Sequence, residues 1–197
     1  MNFRIAIGIY FILGLSYSLA AQVSLGGVAK CMNGKPFPGV VVKLENLRTK
    51  TATYAISGDQ GEYSFCNVDS TQNYRISASF NDALRPLEAG INIIDLELIR
   101  RFVEKGELIP GLGFLAANFS DREYGVDARD LSSLRAFLLD NFQPLDYNRV
   151  TPKWLVLMNQ PNLYYPVAVD NFKALRDQAD LNWVVVKTGD VDGSYCR

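Results

Sequence analysis

The sequence predicts a mixed fold: an all-β sandwich over residues 22–80, then an α+β half over residues 81–197 organised by two loop-helix repeats. Three observations lead there. Alternating apolar runs separated by turn residues fill the first half, a fourteen-residue stretch occurs twice in the second, and two short strand-like apolar runs follow the second copy.

Residues 1–21 carry one early positive charge, Arg4, an apolar run from Ile5 to Leu15, and small residues at Ser18, Ala20 and Ala21. That pattern is a secretory signal, too short for a membrane span. The sequence before Cys31, Val28-Ala29-Lys30, is not of the lipidation type, so a soluble exported protein is expected, secreted or held at the cell surface, with no membrane span after signal removal. Without the signal, lysine and arginine fall from 20 to 19 against 21 acidic residues, a net charge of −2, which offers no footprint for nucleic acid. There is no histidine, which removes the commonest general base and the commonest zinc ligand together. A carboxylate pair can still cleave glycosides, but no spacing here singles out two acids in a cleft, so no enzymatic activity is expected. Of the three cysteines, Cys31, Cys66 and Cys196, an oxidising compartment pairs two and leaves one over.

Within residues 22–80, Val40, Val42 and Leu44 share one side, as do Tyr63 and Phe65, and then Tyr74, Ile76, Ala78 and Phe80. Turn signals at Asn33-Gly34, Pro36 to Gly39 and Gly58-Asp59-Gln60-Gly61 separate these runs, the spacing of a small sandwich. The order Asn33-Gly34-Lys35-Pro36-Phe37-Pro38-Gly39-Val40, then Asp59-Gln60-Gly61-Glu62-Tyr63-Ser64-Phe65 and Tyr74-Arg75-Ile76, resembles a carboxypeptidase-regulatory-like or collagen-adhesin B-type repeat over roughly sixty residues. The resemblance implies a transthyretin-like sandwich that spaces or presents other domains and has no catalytic residues. Cys31 and Cys66 each end a strand in this reading. A disulfide between them closes a loop of about 35 residues, worth ~3 to 4 kcal/mol in the chain-entropy model, and two buried free thiols are the alternative.

The second half opens on the repeat. Gly90 to Val103 is echoed 35 positions later by Gly125 to Leu138, with five identities (Gly, Asp, Leu, Arg, Phe) and four close replacements in fourteen aligned positions. After Asp95 and Asp130, apolar residues recur at 96, 99, 102 and 103 and at 131, 134, 137 and 138, one face of a helix in each copy. Each Asp stands where a carboxylate caps a helix start. Each also stands at position 12 of an EF-hand-type calcium loop, with Asn92 or Asp127 at position 9, Ile91 or Val126 at 8 and Gly90 or Gly125 at 7.

The doubled unit resembles a dockerin, and more closely the dockerin-like domain of secreted proteins from gliding, polysaccharide-degrading bacteria. Leu115-Ala116-Ala117-Asn118, Trp154-Leu155-Val156 and Trp183 to Ser194 carry the likeness further. It implies a calcium-stabilised, non-catalytic docking or assembly module with a protein partner at the cell surface. The first loop departs from the pattern, since positions 1, 3 and 5 fall on Leu84, Pro86 and Glu88. The second gives Phe119, Asp121 and Glu123 on a strict count, or Asn118 and Ser120 at positions 1 and 3 with one inserted residue. Asp190, Asp192 and Ser194 have the spacing of positions 1, 3 and 5 without a position 12 of their own. The expectation is a split site: these three fold back beside Asn92 and Asp95, the alternative being a surface Asp turn.

Trp154 and Trp183 lie in short runs that pair as strands over the helices, with their rings in the core. Tyr164-Tyr165-Pro166 is the better candidate for an exposed aromatic cluster and for contact with a polysaccharide. The functional expectation is an exported module for protein docking in polysaccharide utilisation or adhesion. The alternatives are a small carbohydrate-binding or adhesive module, or the detached accessory part of a secreted hydrolase.

Overall fold

A computed structural model of the chain describes residues 21–81, 86, 88–120, 125–141, 152–160, 163–165 and 169–196. The expected export signal lies outside them except for Ala21. Five strands come first: β1 (Gln22–Cys31), β2 (Val41–Asn46), β3 (Ala52–Ile56), β4 (Glu62–Asp69) and β5 (Asn73–Ser79). Three helices follow, α1 (Ile93–Lys105), α2 (Gly113–Ala117) and α3 (Ala128–Leu139). Then come β6 (Trp154–Gln160), β7 (Leu163–Tyr165), β8 (Val169–Lys173), β9 (Trp183–Lys187) and a 3-10 turn, Ser194–Cys196.

The strands make two sheets, one of five in the order β4-β1-β9-β6-β7 and one of four in the order β3-β2-β5-β8. Alternation decides which side chains lie between them. Val23 and Leu25 of β1, Val42 and Leu44 of β2, Tyr63 and Phe65 of β4 and Tyr74 and Ile76 of β5 all enter one core with Val156, Met158, Trp183 and Val185. This is the sandwich-like part, and Trp183 is fully buried in it, as its strand run predicts.

β9 organises the rest. It runs parallel to β1, with Cys31 opposite Val185, and antiparallel to β6, with Trp154 opposite Lys187. All five of its residues are buried because both of its faces are covered. Trp183 and Val185 point into the sandwich, while Val184 and Val186, with Leu157 of β6, meet Ala116 of α2. Beyond α2, α1 and α3 close on a third cluster of Ile91, Ile99, Phe119, Leu134, Phe137 and Val191, with Leu96, Phe102, Val103, Leu131 and Leu138 packed against it. The two predicted helical faces therefore meet each other.

Both sheets take strands from either side of residue 80, for β9 pairs with β1 and β8 pairs with β5. The segment 22–80 supplies five of the nine described strands, and the segment 154–187 supplies the other four.

The expected Cys31–Cys66 bridge is corrected. Cys31 is bonded to Cys196, with 6.4 Å between Cα atoms, and Cys66 is a free, exposed thiol. Because β1 and β4 run antiparallel, with Leu25 opposite Phe65, Cys31 lies past the Val28–Glu62 end of the ladder while Cys66 lies inside β4, toward its other end. Seven residues separate Cys31 from the neighbour of Cys66, about 23 Å of extended chain, whereas a disulfide needs Cα atoms within about 7 Å. They also face opposite ways: Cys31 is 4% exposed in the core, and Cys66 sits on the outward side of β4.

Candidate functional site

The site begins at the entry to α1. Asn92 is extended at the N-cap and its side chain accepts the Ile94 N–H at 2.8 Å, while Asp95 Oδ2 accepts the Asn92 N–H at 2.8 Å. This capping box satisfies two of the orphan donors of the first turn reciprocally. Ahead of it, Gly90 adopts φ +82°, and a Cβ there would stand 2.7 Å from Tyr195 Cβ and 2.8 Å from Tyr195 N. Only glycine lets the arc after β9 approach so closely.

That arc brings in the other half. The N–H groups of Val191 and Asp192 donate to Asp95 Oδ1 at 2.7 and 3.1 Å. Asp190 Oδ1 accepts the Ser194 N–H at 2.9 Å and Asp190 Oδ2 the Tyr195 N–H at 3.2 Å, while Asp192 Oδ1 also receives Ser194 N–H at 2.8 Å. The Ser194 hydroxyl lies 2.8 Å from the Gly90 carbonyl oxygen and 3.2 Å from Asp190 Oδ1, with one proton between the two acceptors. Asn92 Nδ2 donates to the same Gly90 carbonyl at 2.9 Å and reaches Ser194 Oγ at 3.4 Å. Asp190, Asp192, Ser194, Asn92 and Asp95, about a hundred residues apart in two groups, thus stand together.

One carboxylate oxygen each from Asp95, Asp190 and Asp192 lies within 4.8 Å of the others, and Asp95 and Asp190 are buried. Burial pushes the Asp95 carboxyl up to about 7; the charges of Asp190 and Asp192 push the same way, and the Asp192 and Asn92 N–H groups oppose it. The Asp190 carboxyl is raised as well, first by burial and then by Asp192 beside it. The chemistry of the donor set fits a hard cation. Every candidate ligand atom is an oxygen, and two ligands about 2.4 Å from a calcium ion are at most about 4.8 Å apart. Asp95, Asp190 and Asp192 would hold such an ion, with the Ser194 hydroxyl and the Gly90 carbonyl at the rim.

Lys187, the last residue of β9, fixes the backbone that leads into this site. It is 2% exposed, and its Nζ donates to the Pro86 and Ala89 carbonyls at 3.2 and 2.5 Å and lies 5.2 and 5.5 Å from the Trp154 and Tyr195 ring centres.

The second copy repeats the helix entry. Asp127 accepts the Arg129 N–H at 2.6 Å, and Asp130 Oδ2 accepts the Asp127 N–H at 2.8 Å. Asp130 Oδ1 takes the Ser120 N–H at 2.7 Å, as Asp95 takes that of Asp192. Asn118 is the C-cap of α2, and one turn of chain carries Ser120 to Asp130. The carboxylates of Asp127 and Asp130 gather no third acid among the described residues; Asp121 and Glu123 lie outside them. Tyr164 and Tyr165 form β7, pairing with Asn159 and Met158 through the backbone; the expectation of an exposed ring cluster concerns side chains outside those described.

No family model, no curated protein and no solved structure matches the chain. The site therefore rests on its own chemistry. Sequence reasoning missed Lys187 and the tie through Cys196, whereas the loop count puts Gly90 at position 7, the place of a backbone-carbonyl ligand. Lys187 left one signal, its parity with Trp183 and Val185, which turns it inward on β9.

Proposed function

We propose that this chain is an exported, non-catalytic module in which Asp95, Asp190 and Asp192 clasp a calcium ion, and that the clasp braces a surface used in protein docking. The observation that carries the reading is the meeting of Asp190 and Asp192 with Asp95 inside 4.8 Å, with oxygen donors only around them. Three acids so close repel one another unless protons or a cation lie between them, and a divalent ion answers both their charge and their spacing. Nearly every acid oxygen also accepts a backbone N–H, the bonding of a fastening rather than of a reaction centre. The docking half of the reading is supported by Ile93 and Ile94, 69% and 52% exposed in the first turn of α1 beside the clasp.

The test is thermal melting of the purified protein in calcium against chelator. At free calcium a hundredfold above its dissociation constant, the folded state gains about 2.7 kcal/mol, which is about 5 to 10 °C for a chain of this size. The gain should vanish in an Asp95→Ala, Asp190→Ala double variant. A melting temperature indifferent to calcium in the wild type removes the physical basis of the clasp.

A further inference from the structure

The candidate site is closed by a covalent tie. The ladder of β9 ends where Lys187 faces Trp154, and the Thr188 N–H donates to the Lys153 carbonyl at 2.9 Å. From there residues 188–196 leave the sheet, pass over the start of α1 and return to β1, where Cys196 is bonded to Cys31. Cys31 in turn lies opposite Val185 in the β1–β9 ladder. Sheet and disulfide together make one closed ring, and Asp190, Asp192 and Ser194 all lie on it. Asn33, just past Cys31, adds a second tie: its side-chain amide donates to the Gly193 and Cys196 carbonyls at 3.2 and 3.4 Å.

We propose that the Cys31–Cys196 disulfide is a redox lock on the cation clasp: intact, it holds Asp190, Asp192 and Ser194 against Asp95; reduced, it lets the arc swing away and cation affinity falls. The proposal rests on the cation reading above. Like charges are the reason the tie matters. With neither protons nor a cation between them the three carboxylates repel one another, and an arc held only by hydrogen bonds yields to that repulsion, so an incoming ion must first order it again. With both ends anchored, that ordering is already in place. Reduction takes two electrons and two protons from a dithiol, which closes into its own disulfide while the S–S bond breaks into the Cys31 and Cys196 thiols. The clasp is therefore armed in an oxidising compartment and slack in a reducing one. By reciprocity, bound calcium makes the bond harder to reduce, by about 30 mV for each tenfold of affinity difference.

The experiment is calorimetric titration of calcium into the Cys66→Ser protein, chosen to exclude thiol exchange, in its oxidised form and after reduction with dithiothreitol; circular dichroism reports the fold. The reduced form is expected to bind about tenfold more weakly or worse. Asn33→Ala in the oxidised protein is expected to bind about threefold more weakly, on the scale of a lost hydrogen bond. Equal affinity in the two redox forms overturns the lock and leaves the cation reading standing; no binding by either form overturns both. If the reduced protein unfolds, Asn33→Ala decides: weakened binding supports the lock, and unchanged binding overturns it.

Discussion

At the scale of single residues the two repeat copies divide at their glycines. Gly90 and Gly125 share a positive φ, +82° and +81°, so an alanine at either pays the left-handed strain of about 1 to 2 kcal/mol. At Gly125 the new Cβ meets only Phe114 Cζ at 3.7 Å, ordinary contact. At Gly90 it would stand 2.7 to 2.9 Å from Tyr195 atoms, two of them backbone, so the arc that carries Ser194 must move. Gly90→Ala is expected to lose about 2 to 4 kcal/mol in urea unfolding, and Gly125→Ala about 1 to 2, the difference being steric. Equal losses would show that the arc does not press on α1 as described. The same contrast separates the aspartates. Asp130 and Asp95 both cap a helix and both accept an N–H from a distant turn, yet among the described residues only Asp95 belongs to a cluster of three acids.

At the scale of elements, what was legible in the sequence is what repeats locally. Both helices, the carboxylate in each first turn and the apolar faces follow from a period of 3.6 and from Asp95 and Asp130, while the structure adds Asn92 and Asp127 as the N-caps that complete each capping box. The spacing of Asp190, Asp192 and Ser194 showed a half-site in search of its complement. Apart from the expected pairing of the Trp154 and Trp183 runs, which β6 and β9 make, strand order was not legible, because alternation tells which side a residue faces and not which strand lies next to it. Hence β9 slipped between β1 and β6, β8 joined β5, and the cysteine pairing went astray. The same gap hid Lys187, whose partners are carbonyls 101 and 98 residues away. This lysine couples the end of β9 to the chain entering α1, and it does so while buried against two aromatic rings that also touch each other. Lys187→Met keeps the length and apolar stem but orphans the Pro86 and Ala89 carbonyls from their charged donor, a loss of about 1 to 3 kcal/mol. The urea midpoint should fall accordingly, and calcium affinity with it, since the backbone leading to Gly90 loses its anchor. A midpoint that does not move would mean that apolar packing of β9 alone sets that backbone.

For the molecule as a whole, one joint closes two layers. The arc after β9 crosses from the sandwich to the helix pair, placing Val191 in the helix cluster while Tyr195 and Cys196 pack against the sandwich core. Stability of the whole fold therefore responds to the charge state of the clasp, and the sign can be worked out. Asp95 has its folded-state value raised to about 7 from an ordinary 3.8, and Asp190 moves in the same direction, with Asp192 the further acid facing both. A carboxyl that holds its proton more tightly when folded adds stability that is complete below about pH 4 and disappears as the pH climbs through about 7. In chelator, then, this joint makes the protein less stable at pH 8 than at pH 5. Calcium takes the place of the protons, and protons displace it at low pH, so the melting temperature gained on adding calcium should be several degrees larger at pH 8 than at pH 5. Asp190→Asn should flatten the slope in chelator and shrink the calcium gain together, because one group is the source of both. A calcium gain equal at the two pH values would detach the ion from Asp95 and Asp190 and place it elsewhere on the protein.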